Sequence, residues 1–365
     1  MKKLPALLLM PFSWLYALVT DIRNRLFDSG MLRSERFPVP VLSIGNITVG
    51  GTGKTPHVAL LCTRLSAGGR VAVLSRGYGR KTRGFRLVTP DTLASEAGDE
   101  PCMLKRRCPQ ALVAVDEQRV HGIRTLLRLP EPPDVILLDD AFQHRYVRPS
   151  WSVLLADFNR PLYRDRVLPA GRMRERFAGR LRADMVLLTK CPPDFTAAAC
   201  VAERARFRLP ETIPFLATSF RYGALCPVFP EASSGPLAGR RLTDAVLEGW
   251  SVLVVTAIAC PELLHRAVRP AVAQMDTLRF ADHHAFSSRN AAALDQAFRR
   301  LPDGPRCIFT TEKDAVRWQE APLSASLRAV MYAVPVEVCF PLHDDDIFWK
   351  AVNRQLSSEC TGHEA

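Results

Sequence analysis

Val41-Leu42-Ser43-Ile44-Gly45-Asn46-Ile47-Thr48-Val49-Gly50-Gly51-Thr52-Gly53-Lys54-Thr55-Pro56-His57-Val58-Ala59-Leu60-Leu61 decides the fold. Its first four residues are an apolar run of strand length, and its last five open a helix. The turn between them is rich in glycine and closes in Gly-Lys-Thr. Strand, glycine-rich turn and helix in that order make a phosphate-binding loop. The glycines let backbone N–H groups approach a phosphate without Cβ clashes, and the helix N-terminus adds a dipole that favours the anion. Thr48, Val49, Gly50, Gly51, Thr52, Gly53, Lys54 and Thr55 are therefore the expected cradle of a nucleoside triphosphate. Lys54 is placed to reach the β/γ-phosphates, and the Thr55 hydroxyl to ligate Mg²⁺. The strict pattern asks for a further glycine where Thr48 stands, so the loop is a variant.

Working outward, short apolar runs alternate with stretches of helical length. Val71-Ala72-Val73-Leu74 leads into Ser75-Arg76-Gly77-Tyr78-Gly79-Arg80, and Ala111-Leu112-Val113-Ala114-Val115 into Asp116. Val135-Ile136-Leu137-Leu138 ends at Asp139-Asp140, Val153-Leu154-Leu155 leads to Asp157, and Met185-Val186-Leu187-Leu188 ends at Thr189-Lys190. Such runs predict a parallel sheet covered on both faces, with functional residues at the carboxyl ends of its strands. Asp139-Asp140 is the expected metal-organising pair beside the loop. Lys190 is followed by Cys191-Pro192, which lacks the aspartate of a GTPase base-reading motif.

A second alternation follows, at Val252-Leu253-Val254-Val255-Thr256, Cys307-Ile308-Phe309-Thr310-Thr311 and Val330-Met331-Tyr332-Ala333-Val334. No second phosphate loop accompanies it. The predicted fold class is α/β: a P-loop NTPase-like α/β/α sandwich with a second, smaller α/β/α domain. The divisions read from the sequence are a membrane-associating helix over 1–27, a kinase-type domain over 28–158 and a crossing over 159–182. A second α/β domain over 183–340 and a C-terminal helix and tail over 341–365 complete them.

The chain has 365 residues, 47% of them hydrophobic, with a formal charge of +12, so an anionic partner is expected. The basic residues are scattered, with no nucleic-acid-binding signature, so nucleic acid is not an expected partner. Ten cysteines form no Cys-x-x-Cys pair, which points to reduced thiols rather than a zinc or redox site. Lys2-Lys3 precede a mostly apolar run over 4–19, with Arg23 and Arg25 after it. Pro11 and Ser13 interrupt that run. The reading is a helix lying in the membrane surface, with Trp14 and Tyr16 at headgroup level and basic flanks on anionic lipid. A helix packed on the core is the alternative.

The residues also resemble a known family. The loop from Gly45 to Pro56, with its missing first glycine, is similar to that of the tetraacyldisaccharide 4′-kinases. So are Ser75-Arg76-Gly77-Tyr78-Gly79-Arg80, Gly98-Asp99-Glu100-Pro101, Asp139-Asp140-Ala141-Phe142-Gln143-His144-Arg145 and Leu168-Pro169-Ala170-Gly171-Arg172-Met173-Arg174-Glu175. Phe280-Ala281-Asp282-His283-His284-Ala285-Phe286 and Thr311-Glu312-Lys313-Asp314-Ala315-Val316 extend the resemblance into the second half. Ala141 stands where the family usually has glycine, and Thr256-Ala257-Ile258-Ala259-Cys260-Pro261 replaces a more glycine-rich strand end.

The resemblance implies transfer of the ATP γ-phosphoryl group to the 4′-hydroxyl of an acylated disaccharide 1-phosphate, the precursor of lipid A. It implies work at the cytoplasmic face of the bacterial inner membrane, with ATP and Mg²⁺. It points to Asp99 as the base, with His283, chosen over His284, as its partner. Thr55, Asp139, Asp140, Gln143 and Glu175 are the expected metal set, and Arg76, Tyr78, Arg80 and Arg172 the expected substrate contacts. A soluble kinase or synthetase of a small metabolite, and a membrane-recruited nucleotide switch, are the alternatives.

Overall fold

The computed structural model describes residues 8–282 and 284–360. Strand β1 (Val41–Gly45) is buried along its whole length, as a strand apolar on both faces is when helices cover both sides. Around it lie β2 (Val71–Ser75), β3 (Arg86–Val88), β4 (Leu112–Val115), β5 (Val135–Asp139), β6 (Trp151–Asp157), β7 (Met185–Thr189) and β8 (Phe215–Ala217). They form one sheet in the order β3-β4-β2-β5-β1-β6-β7-β8. Each neighbouring pair is parallel except β3 with β4.

From β1 the chain runs through the phosphate-loop helix (Lys54–Leu65) to β2, and β5 later inserts between the two strands. In that register Ile44 pairs with Asp139. The aspartate pair therefore emerges beside the glycine-rich turn, at the carboxyl edge where open α/β sheets bind ligands.

The sequence reading ends the first domain at residue 158 and opens the second at 183. The sheet corrects both boundaries: β7 and β8 hydrogen-bond into the first sheet, which runs on to Ala217. The reason is burial. Val186 and Leu188 of β7 share a core cluster with Leu154 and Ala156 of β6, and without β7 that edge would be bare.

The chain next passes through β9 (Ser219–Tyr222) to a smaller sheet. This holds β10 (Cys226–Pro227), β11 (Ser251–Thr256), β12 (Gln274–Arg279), β13 (Arg306–Thr311) and β14 (Met331–Val334), in the order β10-β14-β13-β11-β12. Alternate residues of β11 face opposite sides: Val252 and Val254 join one core cluster, Leu253 and Val255 another. The chain returns through β15 (Val336–Cys339), antiparallel to β9. The final helix (Asp345–Cys360) goes back to the first unit, where Phe348 and Val352 enter the core with Trp151.

The N-terminal helix (Met10–Asp28) buries only Ser13, Ala17 and Phe27. Phe12, Trp14, Leu15, Leu18 and Val19 are each more than half exposed. Its docking face is polar, with Asp21 on Arg176 at 2.7 Å, Asn24 on Glu175 at 3.1 Å and Asp28 on Arg145 at 2.6 Å. Spacings of three and four put these residues on one side of the helix. Among the described residues, no helix is long and apolar enough to cross a membrane.

Candidate active site

The phosphate loop is held open by its own threonines and by the segments around it. Asn46 Nδ2 donates to Thr52 Oγ1 at 2.7 Å across the loop. Val49 N–H and Thr48 Oγ1 both donate to the Arg172 carbonyl, at 2.8 and 3.2 Å. Thr189 Oγ1 donates to the Thr52 carbonyl at 2.9 Å, and Lys190 Nζ to that of Gly51. With the Gly51 and Thr52 carbonyls tied outward, the loop's N–H groups after Val49 are left for an anion. Gly53 has φ +87°, and a Cβ there would strike Phe220 Cζ, so both the backbone and the packing favour glycine. Pro56 falls in the first turn of the following helix, where its missing N–H costs no intrahelical bond.

His57 lies under this helix start, wholly buried. Its Nδ1–H donates to the Gly53 carbonyl at 2.7 Å, and Nε2 accepts from Thr218 Oγ1 at 3.1 Å. The carbonyl can only accept, which fixes the tautomer. Burial drives the imidazole down to about 4, so it is neutral here.

Lys54 Nζ faces Asp140 Oδ2 at 3.6 Å. Arg174 Nη1 reaches both oxygens of Asp140 at 3.2 Å. Behind it Asp139 is fully buried, with Ser75 Oγ donating to Oδ2 at 3.4 Å and Oδ1 without a hydrogen-bond partner. Burial first, then the charges of Glu100 and Asp140, push its carboxyl up to about 7, against Lys54 and Arg119. A buried carboxylate with an unused oxygen, followed by a second aspartate, suits Mg²⁺. That ion is usually bound by one or two carboxylates together with phosphates and water. Among the described residues, no cluster of three or more His, Cys, Asp or Glu forms a cage.

Asp99 opens a second helix (Asp99–Arg107), entered through Gly98 at φ +93°, where a Cβ would meet the Tyr78 carbonyl at 2.8 Å. This seats Asp99 and Glu100 in the first turn, where the helix dipole favours negative charge. The smaller unit meets them with its own helix (Glu312–Trp318). Lys313 Nζ lies 3.5 Å from Glu100 and 3.9 Å from Asp99, and Arg317 Nε 3.5 Å from Asp99. At the other end of the Asp99 helix, Arg107 pairs with Glu312 at 3.0 Å.

The remaining residues expected at the site lie in defined contacts. Glu175, with Gln143 an expected metal ligand, takes the fork of Arg182 at 2.7 and 2.9 Å, Gln143 Nε2 at 3.2 Å and Asn24 Nδ2 at 3.1 Å. Arg80 was expected on substrate, but its side chain is 3% exposed, paired with Glu117 at 2.7 Å and the Gly84 carbonyl at 2.8 Å. It braces its own loop. Arg172 gives the phosphate loop its carbonyl while its side chain is exposed, and Arg174, two residues on, reaches Asp140. Arg76 and Tyr78 remain exposed at the end of β2. His283 lies outside the described residues. His284 Nε2 is 3.1 Å from Asn290 Oδ1, and its ring stacks on Phe280.

Arg119 carried no signal in the sequence, yet it is buried, donating to the carbonyls of Asp116 at 2.5 Å and Asp139 at 3.4 Å. Arg174, Lys313 and Arg317 lay in or beside quoted motifs without an assigned role. Charge alone did not separate them from solvated neighbours.

The family profile of LpxK, tetraacyldisaccharide-1-P 4′-kinase, matches residues 5–357. The tetraacyldisaccharide 4′-kinase of Bacteroides thetaiotaomicron is 44% identical over 343 residues, 93% of this chain and 90% of its own. That of Parabacteroides distasonis is 41% identical over 98% of this chain and 96% of its own. A crystal structure described as "apo" form LpxK from Aquifex aeolicus in complex with ATP superposes with a TM-score of 0.74. It is 26% identical and covers 97% of this chain and 100% of its own. With the loop, the aspartate pair and the two-unit architecture in place, the chain belongs to the tetraacyldisaccharide-1-P 4′-kinase family.

Proposed function

We propose that this kinase transfers the γ-phosphoryl group of ATP to the 4′-hydroxyl of an acylated disaccharide 1-phosphate, making a lipid A precursor. The observation that carries the reading is the facing of Lys54 and Asp140 at the mouth of the phosphate loop. Phosphoryl transfer asks the protein mainly to position reactants and to neutralise charge. The loop amides and Lys54 hold the β- and γ-phosphates, and Arg174 keeps Asp140 turned toward them. Thr55, Asp139 and Asp140 would hold Mg²⁺, which when bound supplies further positive charge at the phosphates.

In this reading Asp99 accepts the proton of the 4′-hydroxyl as its oxygen bonds to the γ-phosphorus. The bond from phosphorus to the β–γ bridging oxygen breaks, and ADP leaves. His283 supports Asp99, while His284 is engaged with Asn290. Arg76 and Tyr78, exposed beside Asp99's loop, take the sugar or its phosphate, to which a guanidinium is well matched.

The exposed apolar face of the N-terminal helix rests on the cytoplasmic leaflet, basic residues toward anionic lipid. There it meets the acyl chains of the substrate without drawing them into water, which would cost about 0.8 kcal/mol per CH₂. The test is incubation with ATP, Mg²⁺ and the disaccharide 1-phosphate, with phosphorus NMR of the extracted lipid. A new phosphomonoester at the 4′ carbon supports the reading, and an unchanged lipid refutes it.

A further inference from the structure

Arg317 joins several contacts within the smaller unit to one ion pair with the other. It is 7% exposed and sits at the end of the helix that starts after β13. Thr311 caps that helix, accepting from Asp314 N–H at 3.1 Å and donating to Asp314 Oδ2 at 2.8 Å. Asp314 Oδ2 also accepts from Ala257 N–H at 2.9 Å, so the helix is pinned to the carboxyl end of β11. On this fixed base the Arg317 guanidinium spreads in several directions. Nη2 meets Asp314 Oδ1 at 2.5 Å and the Ala257 carbonyl at 3.3 Å. Nη1 donates to the His284 carbonyl at 3.0 Å. Nε lies 3.5 Å from Asp99 Oδ2, an ion pair, and Asp99 belongs to the other unit.

We propose that Arg317 is a positioning residue: one guanidinium sets the Asp99 carboxylate of the first unit against the His284 backbone of the second. The inference rests on the reading of Asp99 as the base. Its physical basis is the planar fork, whose donors point in fixed directions, so that orienting the His284 carbonyl also orients the approach to Asp99. Lys313 adds positive charge nearby but, as a point charge, does not impose a direction. The nucleotide cradle is not touched by any of these contacts, so Arg317 acts on turnover and leaves ATP binding alone.

The test is steady-state kinetics of the full chain with four variants: Arg317→Gln, Arg317→Lys, Asp99→Ala and Asp99→Ala/Arg317→Gln. Expected for Arg317→Gln is a kcat lowered about 10- to 100-fold, part of what a positioned base supplies, with KM for ATP unchanged. Arg317→Lys keeps a cation for buried Asp314, so it melts near the wild-type temperature, yet it recovers only part of kcat because an ammonium lacks the fork. In the Asp99→Ala background the Arg317→Gln change has no further effect, since residues acting as a unit are non-additive. Wild-type kcat in Arg317→Lys and Arg317→Gln alike overturns the proposal, as does a loss that multiplies fully with that of Asp99→Ala. Wild-type turnover in Asp99→Ala would instead remove the base itself, so the two failures are told apart.

Discussion

Lys54 Nζ and Asp140 Oδ2 face one another at 3.6 Å, with Arg174 reaching both oxygens of the same carboxylate. This spacing keeps a cation from the phosphate loop and an anion from β5 poised over one small volume. Lys54→Ala should lower kcat by about 10²-fold or more, because a charge aimed at the transferring group acts mainly in the transition state. Turnover near wild type in that variant would remove the phosphate-loop assignment.

Gly53→Ala tests the geometry of the loop itself. The left-handed backbone costs about 1–2 kcal/mol for a residue with Cβ, and the added carbon would strike Phe220. The expected outcome is a lower melting temperature and weaker ATP binding by calorimetry. Gly53→Ala/Phe220→Ala should regain part of both, since it removes the clash and keeps the strain. A single variant that binds ATP as tightly as wild type would contradict this.

His57 gives a pH signature. Its folded value, about 4, lies below the usual value of 6.5. As pH falls from 6.5 toward 4 the unfolded chain takes up a proton that the folded chain refuses. This residue therefore lowers stability through that window and has no effect above it. Melting curves from pH 7 to pH 4 should fall more steeply for wild type than for His57→Gln. Parallel curves would mean the imidazole protonates in place.

The N-terminal helix is tested at its exposed face. Trp14→Ser/Leu15→Ser/Leu18→Ser leaves the contacts of Asp21, Asn24 and Asp28 intact, so melting should change little. Cosedimentation with anionic phospholipid vesicles should fall sharply, because the apolar face supplies the binding. Undiminished cosedimentation at high salt would place the membrane contact elsewhere.

The parallel sheet was legible because each strand is an uninterrupted apolar run, and the phosphate loop because glycine, lysine and threonine follow one of them in a fixed order. The domain boundary was not. Met185-Val186-Leu187-Leu188 reads the same whether it joins the first sheet or the second, and only long-range pairing with β6 decides. The same limit applies to the arginines. Arg172 and Arg174 are two residues apart in one motif, and only the contacts of the fold send the second to Asp140 and leave the first exposed. Glu175 carries the fork of Arg182, seven residues on, a pairing that the motif ending at Glu175 does not announce.

The most direct measurement is the stoichiometry of the reaction. Purified protein, vesicle-dispersed disaccharide 1-phosphate, Mg²⁺ and γ-labelled ATP should yield one labelled bis-phosphorylated glycolipid, identified by mass, for each ADP formed. Little ADP should appear without the lipid. ADP released with the label in free phosphate and the lipid unchanged would contradict the kinase and leave a nucleotide switch in its place.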